Sequence, residues 1–323
     1  MIKSLLVGLD GSPLAEVVLP YVETIARATG AIVTLVRAVP SRPQTEPLQD
    51  VNVHLIPFTF IMPTERPHRL DESARNEYYE AEHYLDWLVE CLGDQGIKAN
   101  AVVARGCPAM VILDEAEARH ADLILLTRKG RSGLGRLLHG SVTEAVLAKS
   151  PVPVFLARAG STGRRPWFGG KDAPILVALD GSAEAERVLP LAMELARATS
   201  TGFSLVEGVP AVPRMTFAES SWVGETPPDD RIRDVEIAHS YLAAVRERVR
   251  ESGIPVTASV RTDAIGSGIT AAANECGASL IAMATHARTG IDRALPGHGA
   301  LDVLQRAGLP MLLIGPHIRS SAS

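Results

Sequence analysis

Apolar residues along the chain come in short runs that alternate with longer stretches of helical spacing. SLLVGL, residues 4–9, is a compact apolar run closed by Asp10-Gly11, a pattern that predicts a buried strand ending in a turn. Ser12 is placed to cap a helix with Pro13 at its first position, and that helix is expected to reach Thr29 before Gly30 stops it. AIVTLVRAV then predicts a second strand, and ESARNEYYEAEHYLDWLVECLGDQG a helix with a glycine stop. KANAVVARG reads as a third strand, AMVILDEAEARH as a third helix and ADLILLT as a fourth strand. Ser141 to Lys149 is expected to be the fourth helix and PVPVFLA the fifth strand. Within the long helix, the spacing of apolar residues in HYLDWLVECL marks a core face.

The pattern then starts again. LLVGLDGS at 5–12 returns as ILVALDGS at 175–182, Val18-Leu19-Pro20 as Val188-Leu189-Pro190, and ARAT at 26–29 as ARAT at 196–199, all at one offset of 170. The second copy ends in LPMLLIG. A duplicated domain follows, with expected boundaries at 1–158 and 173–318, a linker at 159–172 and a tail at 319–323. Trp167 and Phe168 in the linker are expected to tuck against a domain surface. Strands alternating with helices imply a parallel sheet covered on both faces, because crossovers are right-handed. The expected class is therefore α/β, two tandem Rossmann-like doubly wound domains, each with a five-stranded parallel sheet.

A length of 323 residues suits two domains. The net charge of −5 lacks the basic footprint of a nucleic-acid protein. No apolar run approaches the roughly 18 residues a membrane span needs, so membrane insertion is not expected. The N-terminus has a short apolar run and no small-residue cleavage site, and it reads as a first strand, not a signal peptide. Cys91, Cys107 and Cys276 are far apart and without CxxC spacing, so neither a disulfide framework nor a zinc site is expected, and a cytoplasmic setting is. The nine histidines show no metal-ligand spacing, and no catalytic grouping emerges.

In doubly wound sheets ligands bind at the carboxyl ends of strands, where the strand order reverses. The loops after the first and fourth strands are the candidates. The fourth strand is followed by TRKGRSGLGRLLHGSV, Thr127 to Val142. Ser141-Val142-Thr143-Glu144 has the capping-box pattern of a helix start. Such a start offers backbone N–H groups and a favourable dipole to a phosphate. Gly130 and Gly140 would let the backbone approach closely, and Arg128, Lys129, Arg131 and Arg136 could neutralise charge. The stretch is neither a Walker loop nor the GxGxxG of a dinucleotide fold. From glycine spacing alone, a phosphate cradle and a solvated turn are equally open.

These residues resemble the universal stress protein family in its tandem form. Nucleotide-binding members carry G-x2-G-x9-G-[ST] after the fourth strand. Gly130, nine residues and Gly140-Ser141 fit that pattern, while Thr127 stands where the first glycine would be. The Asp-Gly-Ser after strand one, Gly106-x-Pro108 after strand three and the ending GRSGLGRLLHGSVTEAVL…SPVPVFL are also similar, and the resemblance covers both copies. It implies that Asp10 faces an adenine, Ala38 lines the base pocket, Thr127 lies by the ribose, and Gly130, Gly140, Ser141 and Val142 hold phosphates. The implied cofactor is ATP, with magnesium as a candidate companion.

In the second copy the corresponding residues are Asp180, Gly208, Ala284, Ala287, Gly297 and His298. Ala284 and Ala287 replace glycine positions, and His298 is a poor helix cap beside Ser141. Asp263-Ala264-Ile265 stands in place of Gly106-Cys107-Pro108. A degenerate second site is expected. The duplication and the resemblance together imply a pseudo-twofold pair joined through PVPVFLA and LPMLLIG, since proline suits a strand near a sheet edge.

The Pro-rich segment 40–70 is expected to cover the crevice or contact the other domain, with a partner-binding surface as the alternative. The leading reading is a stress-response sensor or regulator that binds an adenine nucleotide. A nucleotide-free interaction scaffold is the rival. A slow ATPase or nucleotidyl transferase ranks last, because no general base or metal-binding carboxylate pair is evident. Protein partners and homodimer formation stay open.

Overall fold

The computed structural model describes residues 1–40, 72–128, 141–159, 173–209, 228–285 and 298–318. Segment 41–71, its counterpart 210–227, the linker with Trp167 and Phe168, and both glycine-bearing loops lie outside the described residues. Gly130, Gly140, Ala287 and Gly297 fall in those loops, with Lys129, Arg131 and Arg136.

The first half runs β1 (Ser4–Leu9), α1 (Leu19–Thr29), β2 (Ile32–Val39), α2 (Glu72–Asp94), β3 (Ala99–Arg105), α3 (Pro108–Ala118), β4 (Leu123–Arg128), α4 (Ser141–Lys149) and β5 (Val154–Arg158). The second half runs β6 (Ile175–Leu179), α5 (Ala183–Glu186), α6 (Leu189–Thr199), β7 (Phe203–Gly208), α7 (Pro228–Glu251), β8 (Val256–Arg261), α8 (Ile265–Glu275), β9 (Leu280–Ala284), α9 (His298–Arg306) and β10 (Met311–Ile314).

The strands form one ten-stranded sheet in the order β3-β2-β1-β4-β5-β10-β9-β6-β7-β8. Within each half all pairings are parallel. The halves meet where β5 and β10 pair antiparallel, with Phe155 opposite Leu312, flanked by Leu156–Met311 and Val154–Leu313. This is the fifth-strand contact expected from the sequence. The registers repeat across the halves. Val33 pairs with Ala99 as Phe203 pairs with Val256, and Leu5 pairs with Leu123 as Ile175 pairs with Leu280. Positions up to β2 therefore keep the offset of 170, while positions from α2 onward correspond at 157, because the second intervening segment is shorter.

Alternation along the strands divides the core into two layers. Leu5, Val7, Leu123, Leu125 and Phe155 pack with residues of α1 and α2, and their counterparts with α6 and α7. Leu6, Val36, Ile124, Leu126 and Leu156 pack with α3 and α4 on the other face, and their counterparts with α8 and α9. On the first face Tyr21 tilts against Phe155 with centroids 5.2 Å apart. The backbone N–H of Ile2 reaches across the seam to Glu194 on α6.

The first helix differs from its expected form. Ser12 Oγ does accept from the Ala15 N–H, at 3.1 Å, but the turn that follows is a short 3-10 helix, Ala15–Val18, and the α-helix starts only at Leu19. Pro20 accounts for the break. It has no N–H, and its ring would meet the carbonyl of Glu16 in a continuous helix. At the start of α1 both penalties disappear. Pro190 repeats the break between α5 and α6.

Candidate functional site

The chain lays down β1, β2 and β3 in one direction and then places β4 on the other side of β1. The order reverses between β1 and β4, and a crevice opens beyond their carboxyl ends. Asp10 leaves β1 on one side, and Thr127 and Arg128 lead out of β4 on the other.

Asp10 is exposed, and its Oδ1 accepts the Ser12 N–H at 2.9 Å across the turn at Gly11, where φ is +81°. Ala38 and Val142 both pack on the α3/α4 layer, each partly buried. Helix α4 begins at Ser141, whose side chain is outside the described residues. Ala38, Val142 and the start of α4 therefore lie on one side of the sheet. Thr127 is directed elsewhere. It follows Leu123 and Leu125 by alternation, and its Oγ1 donates to the carbonyl of Ala15 at 2.9 Å, on the α1 side of the sheet.

Arg128 also has a different place from the charge-neutralising one expected of it. Its guanidinium crosses the seam and donates to the carbonyls of Leu304 and Ala307, at 2.7 and 2.6 Å, at the end of α9.

Composition and spacing had not singled out Arg37. Its guanidinium lies under the Asp10–Ser12 turn, where a Cβ on Gly11 would come within 2.8 Å of it, and over the ring of Tyr84, 5.5 Å from the centroid. Tyr84 in turn donates to Glu16 at 3.0 Å. Burial, then this bond, raises the Tyr84 hydroxyl above its ordinary pKa.

The second half inverts this arrangement. The counterpart of Arg37 is Glu207, set under the Asp180–Ser182 turn beside Tyr241, with Glu186 nearby. Asp180 Oδ1 accepts the Ser182 N–H at 3.0 Å, so this Asp-Gly turn is built like the first. Gly208 replaces Ala38, and Ala284 is buried in the α6/α7 layer as the counterpart of Thr127. Helix α9 starts at His298, whose side chain lies outside the described residues. Comparing the copies at an offset of 170 would have exposed the Arg37/Glu207 reversal from sequence alone.

Glu207 Oε2 is buried and has no hydrogen-bond partner among the described residues. Burial, then the charge of Asp180, pushes its carboxyl up to about 7. The neutral acid suits the fold, so the favourable contribution is complete below the ordinary carboxylate range and is lost as pH rises through about 7. With allowance for screening of a half-exposed group, Glu207→Gln is expected to gain roughly 1 kcal/mol over the natural residue at about pH 8, and nothing below about pH 4. Urea midpoints of both proteins at the two pH values check this.

The sequence profile described as "Universal stress protein family" matches residues 1–158 and 173–315. The chain belongs to that family. Universal stress protein MJ0577 of Methanocaldococcus jannaschii is 26% identical over 163 residues, 49% of this chain and 96% of its own length. A universal stress protein of Thermus aquaticus is 29% identical over 159 residues, 49% of this chain and all of its own. Each therefore aligns with about half of this tandem universal stress protein. The crystal structure of a universal stress protein from Archaeoglobus fulgidus superposes over 97% of this chain and 98% of its own with a TM-score of 0.69, at 18% identity, a likeness of fold. No helix among the described residues is long and apolar enough to cross a membrane. Among them no three His, Cys, Asp or Glu side chains cluster as a metal site would need.

Proposed function

We propose that this universal stress protein binds one adenine nucleotide, ATP, in the crevice of its first half and acts as a sensor or regulator in the stress response. The observation that carries the reading is the placement of Ala38, Val142 and the first turn of α4 on one side of the sheet at the strand-order reversal. There the helix start offers N–H groups to phosphate and the two side chains offer an apolar wall to a base. Asp10, exposed at the mouth, supplies a polar acceptor beside that wall. The direction of the Thr127 side chain supports the same reading, because its Cβ branch adds nothing to the Ala38 face.

The test is mass spectrometry of small molecules released when the purified protein is denatured, followed by calorimetry with ATP, with and without magnesium. Adenine nucleotide is expected near one equivalent per chain. A protein that releases none and takes up none is the nucleotide-free scaffold instead. Rapid phosphate release with magnesium would mark an enzyme.

A further inference from the structure

Three positions around the crevice differ between the halves in a coordinated way. Where the first half has Ala38 on β2 and Val142 in the first turn of α4, the second has Gly208 on β7 and Gly299 in the first turn of α9. Where the first half opens α3 with Pro108, the second opens α8 with Ile265. The walls of the second crevice lose a methyl and an isopropyl group, and one neighbouring position exchanges a proline ring for a branched chain.

The geometry joins these changes. A Cβ on Gly208 would stand 3.7 Å from Cγ1 of Ile265, and a Cβ on Gly299 only 3.1 Å from its Cγ2. Ile265 therefore lies between the two trimmed positions. A fourth exchange acts with them. Ala109 of α3 becomes Gly266 of α8, and a Cβ there would overlap the carboxylate of Asp302 on α9. The Asp302 side chain thus occupies the space into which the first-half methyl would project. Ile265 remains 39% exposed, as a residue at the mouth of a crevice does.

We infer that the second crevice is closed from within, with the Ile265 side chain seated between Gly208 and Gly299, so that the half is filled and structural. That this space corresponds to a base subsite rests on the proposed function; the packing itself does not.

A cycle of thermal melts tests the packing. Gly299→Val is expected to lower the midpoint by about 2–8 °C while Ile265 is present, through overpacking. In the Ile265→Ala protein the same substitution should cost nothing further, because the added methyls enter the vacated space. Equal losses in both backgrounds overturn the inference. Adenosine calorimetry tests the closure. The natural protein is expected to take up one equivalent and Ile265→Ala a second, weaker one. An Ile265→Ala protein that still binds one equivalent overturns Ile265 as the closure. If the natural protein takes up no adenosine while the melts behave as expected, the nucleotide reading fails and the closure stands.

Discussion

Replacing Arg128 with Ala is expected to lower the unfolding free energy by roughly 2–4 kcal/mol. Its guanidinium donates to the carbonyls of Leu304, Ala307 and Leu309, at 2.7, 2.6 and 3.4 Å. Leu304 and Ala307 are acceptors that the end of α9, at Arg306, leaves without helical partners, and Leu309 lies just beyond it. A cation there also meets the negative end of the helix dipole. The arrangement has a cost. Burial, then the neighbouring charge of Arg158, lowers the Arg128 pKa to about 10, and the side chain stays charged at neutral pH. Three charge-assisted bonds offset that cost, and without them the Leu304 and Leu309 carbonyls lose the guanidinium and Ala307 keeps only its bond from Arg158. Arg128→Met keeps the apolar stem and loses the donors, so it should be nearly as damaging as Ala. Arg158→Ala should cost less, because Ala307 keeps its bond from Arg128 while losing only the 2.6 Å bond from Arg158. Urea unfolding of the three variants measures this. An Arg128→Met protein with unchanged midpoint and slope would show that the clasp contributes nothing.

Arg128 also marks the limit of what the sequence disclosed. It lies in a run of basic residues beside glycines, and that local context suggested phosphate. Its partners stand more than 170 residues away in the other half, and no local pattern carries such a contact. The strands were legible, because short apolar runs between turn residues leave few alternatives. The start of α4 was legible from the capping pattern at Ser141. The seam was legible from the duplication, since an antiparallel pair of equivalent strands lets one patch meet its own copy. The direction of Thr127 was not. Its place in β4 follows from sequence, but the face it takes depends on register, and a one-residue shift would reverse it. The closure by Ile265 was hidden for another reason. Gly208, Ile265 and Gly299 are each unremarkable alone, and only their proximity in space makes them one unit.

The proposed site implies one nucleotide per chain, and the matched substitutions Gly140→Val and Gly297→Val test it. Gly140 immediately precedes α4, where a phosphate approaching the helix start would meet any added side chain. In the second half Ala287 stands where the first half has Gly130, and His298 stands where it has Ser141. A hydrogen bond to a charged group contributes roughly 1.5–3 kcal/mol. Losing two at the second crevice weakens binding by about 3–6 kcal/mol, on the order of a hundredfold to ten-thousandfold. Charge acts in the same direction. Arg37 lies under the first turn, beside Asp10 and Glu16, whereas Glu207 takes that place beside Asp180 and Glu186. An incoming polyphosphate therefore meets a more negative surface at the second crevice, and the difference should shrink with added salt. Calorimetry with ATP is expected to give a stoichiometry near one for the natural protein. Gly140→Val should abolish the binding heat, and Gly297→Val should leave affinity and stoichiometry nearly unchanged. A natural stoichiometry near two, or equal losses from the two substitutions, would make the halves equivalent and defeat the asymmetry.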